Sequence, residues 1–195
     1  MIKTSCADSL IIGATKFANK AHKGQVRKVT EAPYITHPLR VAAKVMLRED
    51  CTPEMVAAAT CHDVIEDTPY TYEDITELFG KVVADLVLEL TNQFTSEKHP
   101  KLNRAARKDL EEKRLKTISK EAKVIKMLDR LDNLSEIDYT DSFTKLYAQE
   151  SRTLLAAVGD ADAGLAEELS AEISLVERMT GMINSSVLNP NIPAK

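Results

Sequence analysis

The segment from Cys51 to Thr68, C-T-P-E-M-V-A-A-A-T-C-H-D-V-I-E-D-T, constrains the fold more than any other stretch of the chain. Its first half is a run of good helix formers, and its second half carries His62, Asp63, Glu66 and Asp67 within six residues. In a continuous helix His62 lies one turn below Glu66 and Asp63 one turn below Asp67, so the four polar groups share one side. Such a cluster is costly to bury. Unpaired carboxylates in an interior either neutralise or find a cation, and a His-Asp pair flanked by Val64 and Ile65 points to a metal. A His-Asp dipeptide alone arises by chance in many chains, and E-D-T also suits a solvated helix end, so the assignment depends on further ligands elsewhere.

The remaining composition says what kind of scaffold carries this segment. A chain of 195 residues is long enough for one sizeable core. It has no Trp, only six Gly, and plentiful Ala, Leu, Glu and Lys, the balance of an all-α protein. A net charge of -4 argues against a uniformly basic, nucleic-acid-binding surface, so an anionic substrate requires a local cationic patch. Cys6, Cys51 and Cys61 form no C-x-x-C pair and read as reduced thiols. No stretch has the length of a membrane span and the N-terminus lacks signal-peptide order, which places the expectation in the cytoplasm. One domain is expected over residues 1–183, with a flexible tail at 184–195 that contains Pro190 and Pro193.

Apolar residues at helical spacing predict a first helix over about residues 7–22. His22 at its end reads as a packed or capping histidine, because nothing adjacent completes a ligand set. A Gly- and Pro-containing loop follows, and Lys23, Arg27 and Lys28 make it a candidate cationic lip. Pro38 predicts a helix starting just after His37, which holds that imidazole at a helix N-terminus. Thr52 and Pro53 predict a capped start for the helix that runs on into residues 62–67. Thr71 and Asp74 suggest a capping box, with Gly80 ending that helix in a left-handed turn.

The basic run over residues 98–116 reads mainly as a solvated face, with one or two side chains available to a phosphate. Residues 122–134 predict a central helix on which Asp129 and Asn133 share a face. With that face inward, Asp129 is a fourth ligand, while Arg130 and Asp132 point outward and pair with other groups. Helices over about residues 143–158 and 161–183 complete the core, with Met179 and Met182 as core or interface filler.

The ordered motifs H-x-G-Q-x-R-K, P-Y-I-x-H-P, H-D-x-x-E-D-T and K-x-x-D-R-L-x-N resemble the HD-domain hydrolases of the RelA/SpoT family, and specifically the stand-alone small alarmone hydrolases. The likeness runs over about residues 7–155. It implies an all-α, single-domain HD-type helical bundle around one divalent metal, usually manganese (Mn2+), held by His37, His62, Asp63 and Asp129. It assigns Glu66 and Asp67 to positioning the attacking water and to proton transfer, and Arg27, Lys28 and Asn133 to nucleotide recognition. An aromatic nucleotide contact of the small hydrolases maps loosely onto Tyr147. Imidazole and carboxylate donors suit manganese, and a bound divalent ion lowers the pKa of water towards about 7. The Arg27 guanidinium can stack on a purine while its charge and that of Lys28 offset phosphates.

The reaction implied is hydrolysis of the 3′-diphosphate of guanosine 3′,5′-bis(diphosphate) or of its 5′-triphosphate form, with diphosphate released. A chain of this length has no room for the synthetase and regulatory domains of the long family members, so degradation of the alarmone is expected and not its synthesis. Ser135 and Glu136 depart from the family pattern after Asn133, which leaves the phosphate contacts open. Two other readings fit the residues. One is a phosphatase of another nucleotide, such as the adenosine analogue or the 2′-phosphate of NADPH; the other is a nonhydrolysing alarmone-binding module. Hydrolases of this kind can form homo-oligomers, but no heptad or long apolar seam here predicts how.

Overall fold

The structure, a computed structural model, describes residues 6–181. Among them it forms ten α-helices, one 3-10 turn and no strand. The helices are α1 (Cys6–Ala21), α2 (Thr36–Met46), α3 (Pro53–Cys61), α4 (Val64–Asp67), α5 (Tyr72–Phe79), α6 (Lys81–Leu90), α7 (Arg104–Leu115), α8 (Lys120–Ser135), α9 (Thr144–Val158) and α10 (Ala163–Met179). None is long and apolar enough to cross a membrane. The tail at 184–195 and Met182 lie outside the described residues.

Two buried helices organise the bundle. The hydroxyl of Thr52 accepts from the Met55 N–H and Pro53 fills the first turn, so α3 starts where the sequence predicts. Every residue from Met55 to Cys61 is buried, and the small side chains of Ala57, Ala58 and Ala59 let α1, α2 and α6 approach closely. Ser119 caps α8, which packs against α2, α3, α6, α9 and α10 and has apolar residues around much of its circumference. Each fully buried Ile, Leu or Met on these helices contributes roughly 1.5–3 kcal/mol through removal from water.

Several local expectations are corrected. α2 begins at Thr36, before the histidine, because the turn at Pro33–His37 feeds directly into the helix: the Thr36 and His37 N–H groups donate to the carbonyls of Pro33 and Tyr34. Pro38 then falls within the first turn, where its missing N–H leaves no bond unmade. The helix expected to run from Pro53 through Asp67 is interrupted, because Asp63 opens to φ -95°, ψ -3°, so α3 ends at Cys61 and α4 starts at Val64. The Thr71–Asp74 capping box forms, but Gly80 is extended with positive φ (85°, 165°), a region open to glycine and not the left-handed helical one. Met179 is exposed at the end of α10 and fills no core.

Candidate active site

α2, the α3–α4 junction and α8 bring His37, His62, Asp63 and Asp129 together. The ligand atoms of His37, His62 and Asp129 lie within 4.8 Å of one another. Asp63 Oδ2 is 3.1 Å from His62 Nε2 and 3.8 Å from His37 Nε2, and His37 Nε2 is 3.2 Å from Asp129 Oδ1. Both rings are aimed from behind. His62 Nδ1 donates to the Ala59 carbonyl at 2.8 Å, so the neutral ring carries its lone pair on Nε2. That Nε2 is buried and has no hydrogen-bond partner. His37 Nδ1 lies 2.7 Å from Asp132 Oδ2, which turns its Nε2 to the same centre.

Electrostatics favour positive charge at this point. Burial opposes protonation of both imidazoles, yet Asp129 and Asp132 raise His37, and Asp63 and Asp129 raise His62 well above its ordinary value. Burial alone would raise the carboxyls, but His62 pulls Asp63 down, and Lys126 with the two histidines pulls Asp129 well below the usual range. Two nitrogen and two oxygen donors with an orphaned imidazole nitrogen among them fit a divalent cation.

The expected acidic pair is split. As consecutive residues of α4, Glu66 and Asp67 point about 100° apart and reach different partners. Glu66 Oε2 accepts from the Asn92 N–H at 3.0 Å, whereas Asp67 Oδ2 accepts from the Tyr34 hydroxyl at 3.1 Å. Burial raises both carboxyls, and the charge of Asp63 adds to each shift. The Tyr34 hydroxyl also donates to Asp63 Oδ2 at 2.7 Å, and the Gln25 amide donates to the Asp67 carbonyl. His22 belongs to the packing behind them: it bonds Gln25 and lies against Tyr34.

Two cavities approach the cluster through side chains that touch it: Tyr34 and Asn133 of the first donate to Asp63 and Asp129, and Lys126 of the second lies 3.3 Å from Asp129 Oδ2. The first, of about 350 Å³, has Arg27, Lys28, Tyr34, Asn133, Glu136 and Tyr147 in its lining, so all four expected nucleotide contacts face one space. Arg27 Nη2 donates to Asn133 Oδ1 at 2.8 Å and its Nε to Glu136 Oε2 at 3.0 Å, while its Cζ lies 5.6 Å from the Tyr34 ring centroid. Asn133 in turn donates to Asp129 Oδ1 at 2.6 Å. Lys28 is 88% exposed and only 3.6 Å from Asp141, a solvated contact of little energy. Of the two departures from the family pattern, Glu136 lines this cavity, whereas Ser135 folds back to the Asp132 carbonyl.

The second cavity, of about 450 Å³, opens beside Glu66 and includes Arg104, Lys108, Lys126, Arg130 and Glu150. From the basic run, Arg104 and Lys108 reach this wall by pairing with Glu150, while Lys113 and Lys116 pair with acidic neighbours on α7. Arg130 stacks on Tyr147 of the first lining, with its Cζ 4.4 Å from the ring centroid.

The outward placement expected for Asp132 is overturned. Its side chain is 1% exposed and is gripped by His37, Arg40 and Lys44. Arg130 likewise turns inward, to Tyr147 and Ser151. Sequence reasoning also passed over Tyr34 and Lys126, the latter 3.3 Å from Asp129 Oδ2. Asp132 could have been found three positions after Asp129, at the spacing that joins adjacent turns of one helix.

Residues 14–163 match the HD domain family. A probable guanosine-3′,5′-bis(diphosphate) 3′-pyrophosphohydrolase of Mycoplasma pneumoniae is 35% identical over 159 residues, 77% of this chain but 21% of that protein. The guanosine-3′,5′-bis(diphosphate) 3′-pyrophosphohydrolase MESH1 of Xenopus tropicalis is 38% identical over 131 residues, 66% of this chain and 70% of that protein. The solved structure of a metazoan ortholog of SpoT that hydrolyzes ppGpp superimposes with a TM-score of 0.73 at 26% identity, covering 94% of this chain and 100% of that one.

Proposed function

This chain belongs to the HD-domain family as a small RelA/SpoT-type member, and on that premise we propose that it hydrolyses the 3′-diphosphate of guanosine 3′,5′-bis(diphosphate) and of its 5′-triphosphate form. The observation that carries this reading is the four-donor cluster, bonded through Asp63 and Asp129 to Tyr34 and Asn133 of a cavity walled by planar side chains and approached at 3.3 Å by Lys126 of a cavity bearing cationic groups.

The nucleoside end enters the first cavity, where the Arg27 guanidinium is held in plane by Asn133 and Glu136 and offers a face for stacking. This fixes the ribose beside Asn133 and brings the 3′-phosphorus to the cluster. A divalent ion, which we take to be manganese, would be held by His37, His62, Asp63 and Asp129 and would supply positive charge to the phosphate and acidify water. Glu66 and Asp67 are held on different partners, Asn92 and Tyr34, and burial raises both carboxyls, which suits them to proton transfer. One takes a proton as water oxygen bonds to phosphorus, and the other delivers one to the departing ribose 3′-oxygen. The phosphorus–oxygen bond on the ribose side breaks, diphosphate is released, and GDP or GTP remains. Lys126, Arg104 and Lys108 give the diphosphate cationic neighbours in the second cavity.

The test is a manganese-supplemented assay of the purified protein against a panel of 3′- and 2′-phosphorylated nucleotides, with chromatography of the products. Diphosphate and GDP in equal amounts support the reading. Metal-loaded protein that binds the nucleotide and releases no diphosphate overturns it.

A further inference from the structure

We infer that Arg40 is a positioning residue for both working ends of the site, holding His37 through Asp132 and Arg27 through Glu136; the inference rests on the metal-dependent nucleotide reading above. His37, Arg40 and Lys44 follow one another at steps of three and four on α2, and Asp129, Asp132 and Glu136 do the same on α8. Each set therefore occupies one helix face. The two faces meet, with cations of α2 against carboxylates of α8. Arg40 lies outside the lining of both cavities, so its influence on metal or nucleotide has to pass through these carboxylates.

The Arg40 guanidinium forms a fork on Asp132: Nε donates to Oδ1 at 3.0 Å and Nη2 to Oδ2 at 2.8 Å. Nη2 has a second hydrogen, and Glu136 Oε1 lies 2.7 Å from it. Asp132 Oδ2 is in turn 2.7 Å from His37 Nδ1, and Glu136 Oε2 accepts from Arg27 Nε at 3.0 Å. Lys44 reaches Asp132 and Arg27 reaches Glu136, so among the described residues Arg40 is the one side chain that meets both carboxylates. The planarity of the fork matters at Asp132. A carboxylate rotated about its last bond redirects the imidazole it holds, and a two-nitrogen fork fixes that rotation where the point charge of Lys44 does not. Arg27 also reaches the cluster by a second route, through Asn133 to Asp129, which a test has to separate from the first.

Calorimetric titration of the metal-free full chain, with manganese alone and with GDP alone, tests the link without turnover. Arg40→Ala should weaken manganese by about tenfold, the lower end for a group that supports a metal ligand. It should weaken GDP by about threefold to tenfold, the cost of ordering one arginine on binding. Arg40→Gln serves the same comparison if Arg40→Ala fails to fold. Glu136→Gln should weaken manganese by about threefold when Arg40 is present and have no effect in the Arg40→Ala background. Loss of both affinities supports the inference. Either affinity unchanged in Arg40→Ala overturns it, as does a Glu136→Gln loss that persists in that background, which would run through Asn133 and Asp129 instead. Turnover separates the two readings. A chain that shows these losses and releases no diphosphate sinks the hydrolase and leaves the link, whereas diphosphate release with unchanged affinities in Arg40→Ala sinks the link and leaves the hydrolase.

Discussion

The cavity beside Arg27 is walled by planar groups and edged with carboxylates, whereas the cavity beside Glu66 brings Arg104, Lys108, Lys126 and Arg130 to its lining. Arg104 and Lys108 are paired with Glu150, a partner that an incoming anion can replace, while Glu111 and Glu112 of the same lining pair with Arg114 and Lys116. Arg130 of the second lining stacks on Tyr147 of the first. On the proposed reading the phosphates would lie among the second cavity's cations and the base in the first, where Arg27 and Lys28 stand against Glu136, Asp138 and Asp141. On this account the two sides fail differently when altered.

The largest effect should come from the element both sides share. Asp129→Ala is expected to abolish manganese binding in a calorimetric titration and to lower diphosphate release by about 10³-fold or more. Glu66→Gln, on the cationic side alone, should lower kcat by roughly 10²-fold or more with little change in KM. A variant with normal turnover would remove Glu66 from proton transfer. Asp132→Asn should weaken manganese affinity by roughly 10- to 100-fold by loosening His37, an effect visible by titration without substrate. Arg27→Ala, on the planar side, should raise KM by roughly tenfold while kcat is nearly held, because it removes stacking made equally before and during reaction. If it lowered kcat alone, the division of labour between the cavities would be wrong.

The smallest effect is one of pH. His37, Arg40 and Lys44 outweigh the burial of Asp132 and hold its carboxyl well below the usual range. The unfolded chain therefore takes up this proton first, near pH of about 4. The contribution to stability is whole above that pH and is lost as pH falls toward the depressed folded value. Thermal melts across the acid range should show a shallower decline for Asp132→Asn than for the unaltered protein.

The sequence made the helical architecture legible through the capping residues that fix the starts of α3 and α5, and the set His37, His62, Asp63 and Asp129 through the motifs that resemble the RelA/SpoT hydrolases. It left the rest of the site unread for two physical reasons. α8 is enclosed by helices on several sides, so its apolar pattern marks no outward face, and Asp132 was assigned to solvent when it supports His37. Glu66 and Asp67 are consecutive on α4 and so about 100° apart, which is why a pair adjacent in the sequence reaches different partners, Asn92 and Tyr34. Tyr34 escaped notice because its work is done by a hydroxyl whose acceptors lie 29 and 33 positions away.

That hydroxyl owns one hydrogen and stands before two claimants, Asp63 at 2.7 Å and Asp67 at 3.1 Å. It can satisfy them only in turn. Whatever draws electron density from Asp63 hands the phenolic hydrogen to Asp67, so a change at the buried ligand is passed, through one tyrosine, to the outer acid.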